Sequence, residues 1–338
     1  MADLEQLEER LSRPTKAVVE LFRRTAGDVI LLGVAGKIGP SLARMVRRAV
    51  DASGTPRRVI GVARFSNAAE ETKLRAAGIE TIRCDLLDEA AVAGLPEAPN
   101  VFYLAGMKFG ANGNEPLTWA MNTHLPSVVC KRYPHSRIVA YSTGNVYGFV
   151  SPDSGGSRET DVPQPVGEYA MSCLGRERMF EHFSRTNGTP VALIRLNYAC
   201  DLRYGVLVDI ARHAWAGAPV DVTTGWFNTI WQGDCNAMTL LALDHAASPA
   251  FVLNLTGSQT LGVREAALEF GKLLEREVRF TGQEGATALL SNAGLCHRLF
   301  GPPEVSEQQL MRWAADWVKA GGAHLGKPTH FESRDGRY

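Results

Sequence analysis

The stretch Val29-Ile-Leu-Leu-Gly33-Val-Ala-Gly36-Lys37-Ile38-Gly39 joins an apolar run to three glycines spaced three apart, and the helical pattern Ser41, Leu42, Ala43, Met45, Val46 follows at once. This reads as a strand, a tight turn and the opening of a helix. Gly33 permits the turn, Gly36 lets the backbone approach a pyrophosphate, and Gly39 lets helix and strand pack closely. The free N–H groups of the helix start then face an anion. Glycines in turns are common, so the triplet carries weight only because a strand and a helix flank it. It points to a bound dinucleotide.

Outward from this turn, short apolar runs alternate with helical segments. The runs are Val29–Leu32, Val59–Val62, Glu80–Arg83, Val101–Ala105, Ile138–Ser142 and Val191–Leu196, with Phe251–Leu255 as one further strand. The alternation predicts an α/β fold, a Rossmann doubly wound parallel sheet with helices on both faces. The runs are rich in Val, Ile and Leu, as strands buried on both faces are. Residues 4–25 read as a helical lead-in whose Val18, Val19, Leu21 and Phe22 pack on the domain that follows. Residues 151–166 are polar and turn-forming, a long surface loop. Helices are expected over 204–216, 263–275 and 306–319. The expected division is a helical extension (1–27), a dinucleotide-binding Rossmann domain (28–196) and, mainly, a smaller C-terminal substrate lobe (197–338). Within the last, 231–256 is expected to return to the Rossmann domain.

The 338 residues carry 36 Lys+Arg against 36 Asp+Glu, so the chain lacks the basic excess of a general nucleic-acid or anionic-membrane binder. Hydrophobic content of 45% and charged content of 21% suit a globular protein with a sizeable core. No apolar run approaches the ~20 residues that span a membrane. The N-terminal residues lack the apolar core of a signal peptide. Six scattered cysteines without a CxxC pair read as free thiols of a reducing cytoplasm. The eight histidines show no metal-ligand spacing, so no metal is expected.

An acid that grips the adenosine ribose is expected at the end of the second strand. Ala63 stands there, followed by Arg64. Loss of a carboxylate and gain of a guanidinium suit a 2′-phosphate, favouring NADP over NAD. The alternative is that Arg64 is a solvated loop cation. Asp85, at the end of the third strand, is placed to accept from the adenine amino group, or else it forms a turn while Asp88 caps a helix.

Taken in order, the motifs resemble the extended short-chain dehydrogenase/reductase family, in the branch of NAD-dependent epimerases and dehydratases. They are the glycine loop, Cys84-Asp85-Leu86, Phe102-Tyr-Leu104-Ala105-Gly106-Met-Lys108, Asn122, Tyr141-Ser-Thr143-Gly-Asn145-Val-Tyr147-Gly148, Tyr169, Arg195-Leu-Asn197-Tyr198 and Trp231-Gln-Gly-Asp234. The resemblance implies hydride transfer at the nicotinamide. A tyrosine hydroxyl exchanges the proton on the substrate oxygen, and a Ser or Thr hydroxyl holds that oxygen. By position these are Tyr169 and Thr143. Read without the family, Thr143 is a strand-end cap and Tyr169 a half-buried aromatic on a helix spanning 169–183. The implied cofactor contacts are Gly33, Gly36, Lys37, Ile38, Gly39, Arg64, Asp85, Leu86, Leu104, Ala105, Gly106, Lys108, Asn122, Tyr169 and Cys173. Thr143, Asn145, Tyr147, Asn197 and Tyr198 are expected on the substrate. Trp226, Phe227, Asn228 and Trp231 are either stacking faces or lobe core.

One departure stands out. Four residues after Tyr169, where the family has the lysine that lowers the tyrosine pKa and holds the ribose, this chain has Cys173. Positions i and i+4 share a helix face, so the cysteine points where the lysine would. Bringing a phenol from near ~10 to ~7 takes about 4 kcal/mol of preferential phenolate stabilisation. A neutral thiol supplies little of it and a thiolate opposes it. Either another cation substitutes, with Lys108 the leading candidate, or Tyr169 works untuned, or the protein binds its dinucleotide without turnover. Cys173 as a nucleophile is the weaker reading beside plain packing. Two functions stay open. One is an NAD(P)-dependent oxidoreductase or epimerase acting on a hydroxyl or keto group of a sugar or sugar derivative. The other is a dinucleotide-binding sensor or scaffold. Arg203 and Arg212 read as isolated, which weighs against a sugar nucleotide and for free sugars, sugar acids or lactones. A homodimer through segments 114–130 and 168–187 is what the family implies.

Overall fold

The computed structural model describes residues 3–108, 113–327 and 329–336. Two helices lead in, α1 (Leu4–Leu11) and α2 (Lys16–Arg24), capped by the side chains of Asp3 and Thr15. The strands of the main sheet are β1 (Val29–Leu32), β2 (Val59–Ala63), β3 (Glu80–Arg83), β4 (Asn100–Tyr103), β5 (Arg137–Thr143), β6 (Val191–Leu196) and β7 (Phe251–Leu255). All pair in parallel, in the order β7-β6-β5-β4-β1-β2-β3. The order reverses between β1 and β4, which opens a crevice at their carboxyl ends where ligands of such sheets bind.

The connections run through α3 (Gly39–Ser53), α4 (Ala68–Ala76), α5 (Glu89–Ala93), α6 (Glu115–Trp119), α7 (Leu125–Arg132) and the long α8 (Gly167–Asn187). A π turn over Ala120–His124 joins α6 to α7. The central strands are dry on both faces, whereas the edge strand β3 is exposed or half-buried. Val29 and Leu31 pack with Leu42 and Val46 of α3 and with Phe22 of α2. Ile30 and Leu32 face the other way, among Val128 of α7 and Phe180 of α8. This is the period-two alternation of a strand buried from both sides.

A third core holds α9 (Val206–Ala216), α11 (Val263–Leu274) and α13 (Glu307–Lys319). Between them, α10 (Gln232–Leu241) packs against α3, and α12 (Gly294–Phe300) lies against β7. The lead-in is split between layers. The apolar face of α2 packs on the sheet layer as expected, but Leu7 and Leu11 of α1 are buried in the third core. Arg203, just before α9, grips Glu8 of α1 and so ties the two together. No helix of the described residues is long and apolar enough to cross a membrane. The six cysteines are all buried and unpaired.

Candidate functional site

The glycine loop has the geometry its sequence demands. Gly33 sits at φ +86, and a Cβ there would meet the backbone of Ala105 at 2.8 Å. A Cβ on Gly39 would lie 2.1 Å from the carbonyl oxygen of Val34, so only glycine lets α3 pack this close. At Gly36 a Cβ would meet nothing nearer than the Gly33 oxygen at 3.4 Å, and this residue is exposed. Helix α3 begins with no side-chain cap on its N–H groups. Open backbone at Gly36 beside uncapped donors fits a pyrophosphate. Lys37, from the same loop, lies over the Tyr204 ring with its Nζ 3.3 Å from the centroid. Burial, then the charges of Lys108 and Lys327, lower its pKa to about 6.

At the carboxyl edge of β5, Thr143 turns its hydroxyl into a cleft. It donates to Asn145 Oδ1 at 2.9 Å and caps a short turn at the Asn145 N–H. Tyr169 comes to the same point from the first turn of α8, which opens with Gly167 at φ +82. Its hydroxyl is within hydrogen-bonding reach of both Thr143 and the Cys173 thiol. The cleft, with a cavity of about 160 Å³, is lined by Lys37, Lys108, Thr143, Asn145, Tyr169, Asn197 and Tyr198 among others. Lys108 places its Nζ 5.9 Å from the Tyr169 ring centroid. Burial lowers the Lys108 ammonium to about 8, against the pull of Cys173 and Glu332. Burial pushes the Tyr169 phenol well above its ordinary value, with Cys173 adding to the rise and Arg176 opposing it. Burial likewise raises the Cys173 thiol, which is therefore neutral at pH 7.

Four expectations need correction. Asn122 does not face the cleft: its amide is spent. The oxygen accepts from Met107 N at 2.8 Å and from Arg176, and the nitrogen donates to Met107 O and Ser172 Oγ, both at 2.9 Å. It pins the loop after β4 onto α8. Tyr147 also turns away. Its ring is buried, and its hydroxyl accepts from Arg195 at 2.7 Å and donates to Asn254 at 2.8 Å. Leu86 is buried in the core, while Asp85 accepts from the Leu87 N–H and Asp88 caps α5, which is the turn reading of that segment. Arg203 and Arg212, far from clustered along the chain, line one cavity of about 390 Å³ with His213, His324 and Lys327, although Arg203 is already bound to Asp201 and Glu8.

The other residues fall as follows. Leu104 is half-buried against the sheet core, Ala105 backs onto Gly33, and Gly106 is exposed. Ile38 lines the cleft. Arg64 is exposed just past β2. Phe227, Asn228 and Trp231 are buried and belong to the lobe core, with Trp231 edge-on to Trp313. Sequence reasoning missed Tyr204, Gln232 and Thr329, which also line the cleft. Gln232 follows directly on Trp231 at the start of α10, a signal that was legible. Thr329 reaches the cleft from the far C-terminal end, where its N–H and hydroxyl both donate to Asp209, and no local motif marks it.

Fold and site together define a dinucleotide-binding Rossmann protein with a hydroxyl-lined cleft. The sequence pattern of the NAD dependent epimerase/dehydratase family matches residues 29–200, and the chain belongs to that family of enzymes. Solved structures share the fold. An epimerase from Methanothermobacter thermautotrophicus is 19% identical, with a TM-score of 0.74 over 93% of this chain and 100% of that one. A dTDP-glucose 4,6-dehydratase from Streptomyces venezuelae, solved with NAD bound, is 19% identical, with a TM-score of 0.73 over 86% and 97% of the two chains. A UDP-glucose 4-epimerase from Thermotoga maritima, solved with UDP-glucose, is 17% identical, with a TM-score of 0.71 over 87% and 99%. None of the curated proteins is detectably similar in sequence.

Proposed function

We propose that this chain is an NAD(P)-dependent oxidoreductase or epimerase acting on a hydroxyl or keto group of a sugar or sugar derivative. The observation that carries the reading is the convergence of the Tyr169 and Thr143 hydroxyls in a cleft that also contains the glycine-loop residues Lys37 and Ile38. A bound nicotinamide supplies hydride exchange. The chain does the rest. Thr143 holds the substrate oxygen, Tyr169 takes or returns its proton, and Lys108 brings positive charge to the edge of that pair. Asn145, Asn197 and Tyr198 offer directed hydrogen bonds to a polyhydroxylated ligand. Arg64 favours NADP. The cavity lined by Arg212, His213 and Lys327 supports an anionic extension of the sugar, which makes a sugar nucleotide a better fit than the sequence suggested. Exposed Leu117, Trp119, Val166 and Met171, on or beside α6 and α8, support a homodimer.

A sensor or scaffold is the second reading, and the neutral thiol at Cys173 favours it. The two part in one experiment. Affinity for NAD and NADP is measured by calorimetry, and turnover over UDP-glucose, UDP-glucuronate and free sugars is followed by absorbance of the reduced cofactor for net oxidation or reduction and by proton NMR of the sugar for epimerisation. The enzyme reading expects turnover that falls about 10²–10⁴-fold in Tyr169→Phe. Tight binding with no turnover over the whole panel selects the scaffold. Activity unchanged in Tyr169→Phe removes the mechanism.

A further inference from the structure

Arg176 is buried on α8, one turn beyond Cys173. Its Nη1 donates to the Tyr141 carbonyl at 2.9 Å and its Nη2 to Asn122 Oδ1 at 2.5 Å. Its Nε is buried with no acceptor. These oxygens are neutral. The adjacent carboxylate, Glu177, is held by Arg195, and Arg176 forms no ion pair among the described residues. A buried guanidinium without an anionic partner is costly. It also cannot escape by losing its proton, as a lysine can.

Its head sits at the carbonyl of Tyr141, two residues before Thr143 on β5, and Tyr169, Cys173 and Arg176 follow at i, i+4 and i+7 along α8. A Cβ on Gly106, in the loop after β4, would meet Nη2 at 2.2 Å, so that loop lies directly over the arginine head. Three protonated groups lie in its field: the Tyr103 phenol, whose ring centroid is 5.9 Å from its Cζ, the Tyr169 phenol and the Cys173 thiol. Arg176 favours the ionised form of each.

We propose that Arg176 takes over the electrostatic task of the lysine that Cys173 replaces: a fixed positive charge, clamped by Asn122 and Tyr141, that stabilises the Tyr169 phenolate. The two tasks of one lysine are thereby divided. Arg176 supplies charge from within the fold, and Lys108 reaches into the cleft. Arg176 acts through Tyr169 and is a positioning residue. The inference rests on Tyr169 being the group that exchanges the proton. Other titratable groups around Tyr169 are Cys173 on α8, Lys108 after β4, and Lys37 and Tyr204, which line the same cleft.

The test follows Tyr169 directly and needs no substrate. The chain is labelled with difluorotyrosine, whose more acidic phenol brings ionisation into the range where the fold survives. Fluorine NMR is recorded against pH, and the Tyr169 signal among the eight tyrosines is the one missing in Tyr169→Phe. Arg176→Gln is expected to raise the Tyr169 step by one pH unit or more, and Arg176→Lys by less than half of that. Cys173→Lys/Arg176→Gln returns the step to within half a unit of the native value, and it serves alone if Arg176→Gln does not fold. Coincident steps in the native chain and Arg176→Gln overturn the proposal. So does a double variant whose step stays a full unit high. Cofactor affinity and turnover, measured separately, decide the reading of the whole site, so the two failures are distinguishable.

Discussion

Replacing Glu177 by Gln removes one charge from the driest part of the site. Glu177 is fully buried on α8 and Arg195 of β6 is nearly so, with side chains 0% and 4% exposed. Arg195 donates through Nε to Oε1 at 3.0 Å and through Nη2 to Oε2 at 2.7 Å, and the Ser142 hydroxyl donates to Oε1 as well. Gln keeps the shape but turns one acceptor oxygen into a donor that faces the guanidinium. A hydrogen bond to a charged group is worth about 1.5–3 kcal/mol. Stranding one member of a buried ion pair costs about 3–5 kcal/mol in all. Since no solvent reaches Glu177 to relieve Arg195, we expect a loss of about 4 kcal/mol in Glu177→Gln. Urea unfolding, followed by both circular dichroism and tryptophan fluorescence, measures it. Glu177→Leu/Arg195→Met removes both charges and keeps the volume, so it is expected to stay within about 2 kcal/mol of the native chain. A loss below about 1 kcal/mol in Glu177→Gln would refute the reasoning, as would a double variant as unstable as the single one. Ser142 precedes Thr143, so loosening this pair is also expected to blur the placement of the Thr143 hydroxyl.

Two further outcomes follow from the glycine loop. Gly39→Ala drives a methyl into the Val34 carbonyl and is expected to cost about 1–3 kcal/mol of stability in thermal melts. Gly36→Ala meets little resistance and melts like the native chain, but it is expected to lose most dinucleotide affinity by calorimetry; equal affinities would mean that the pyrophosphate lies elsewhere. The Lys37 amine, lowered to about 6 by burial and then by Lys108 and Lys327, is neutral above that pH. A bound diphosphate raises its pKa, so binding takes up a proton, and affinity is expected to fall by up to tenfold per pH unit between about pH 6 and 8. Lys37→Met removes the slope; a slope that survives the substitution assigns the proton to another group.

Much of this protein is written locally. The run Val29–Leu32 and its glycines had to form strand, turn and helix start, because an apolar strand cannot continue through Gly33 and only glycine permits the contact at Gly39. The central strand runs were legible for the same reason: residues buried from both sides must be apolar, while the edge run Glu80–Arg83 was marked by its place in the alternation. Thr143 and Tyr169 were singled out from their places in an ordered set of motifs, and their hydroxyls lie within hydrogen-bonding reach of each other. Local pattern does not specify where a side chain turns at the end of a strand or what it meets there. Tyr147 sits in the same motif as Thr143, yet its hydroxyl points inward because Arg195 and Asn254, distant in sequence, wait there. Asn122 is consumed by a loop and a helix that only folding brings together. Arg176 looks like an ordinary helix-face cation in the chain. Its burial without a counter-charge exists only once α8 lies across β5, because the loss of water around a charge is a property of packed layers and not of neighbours along the sequence.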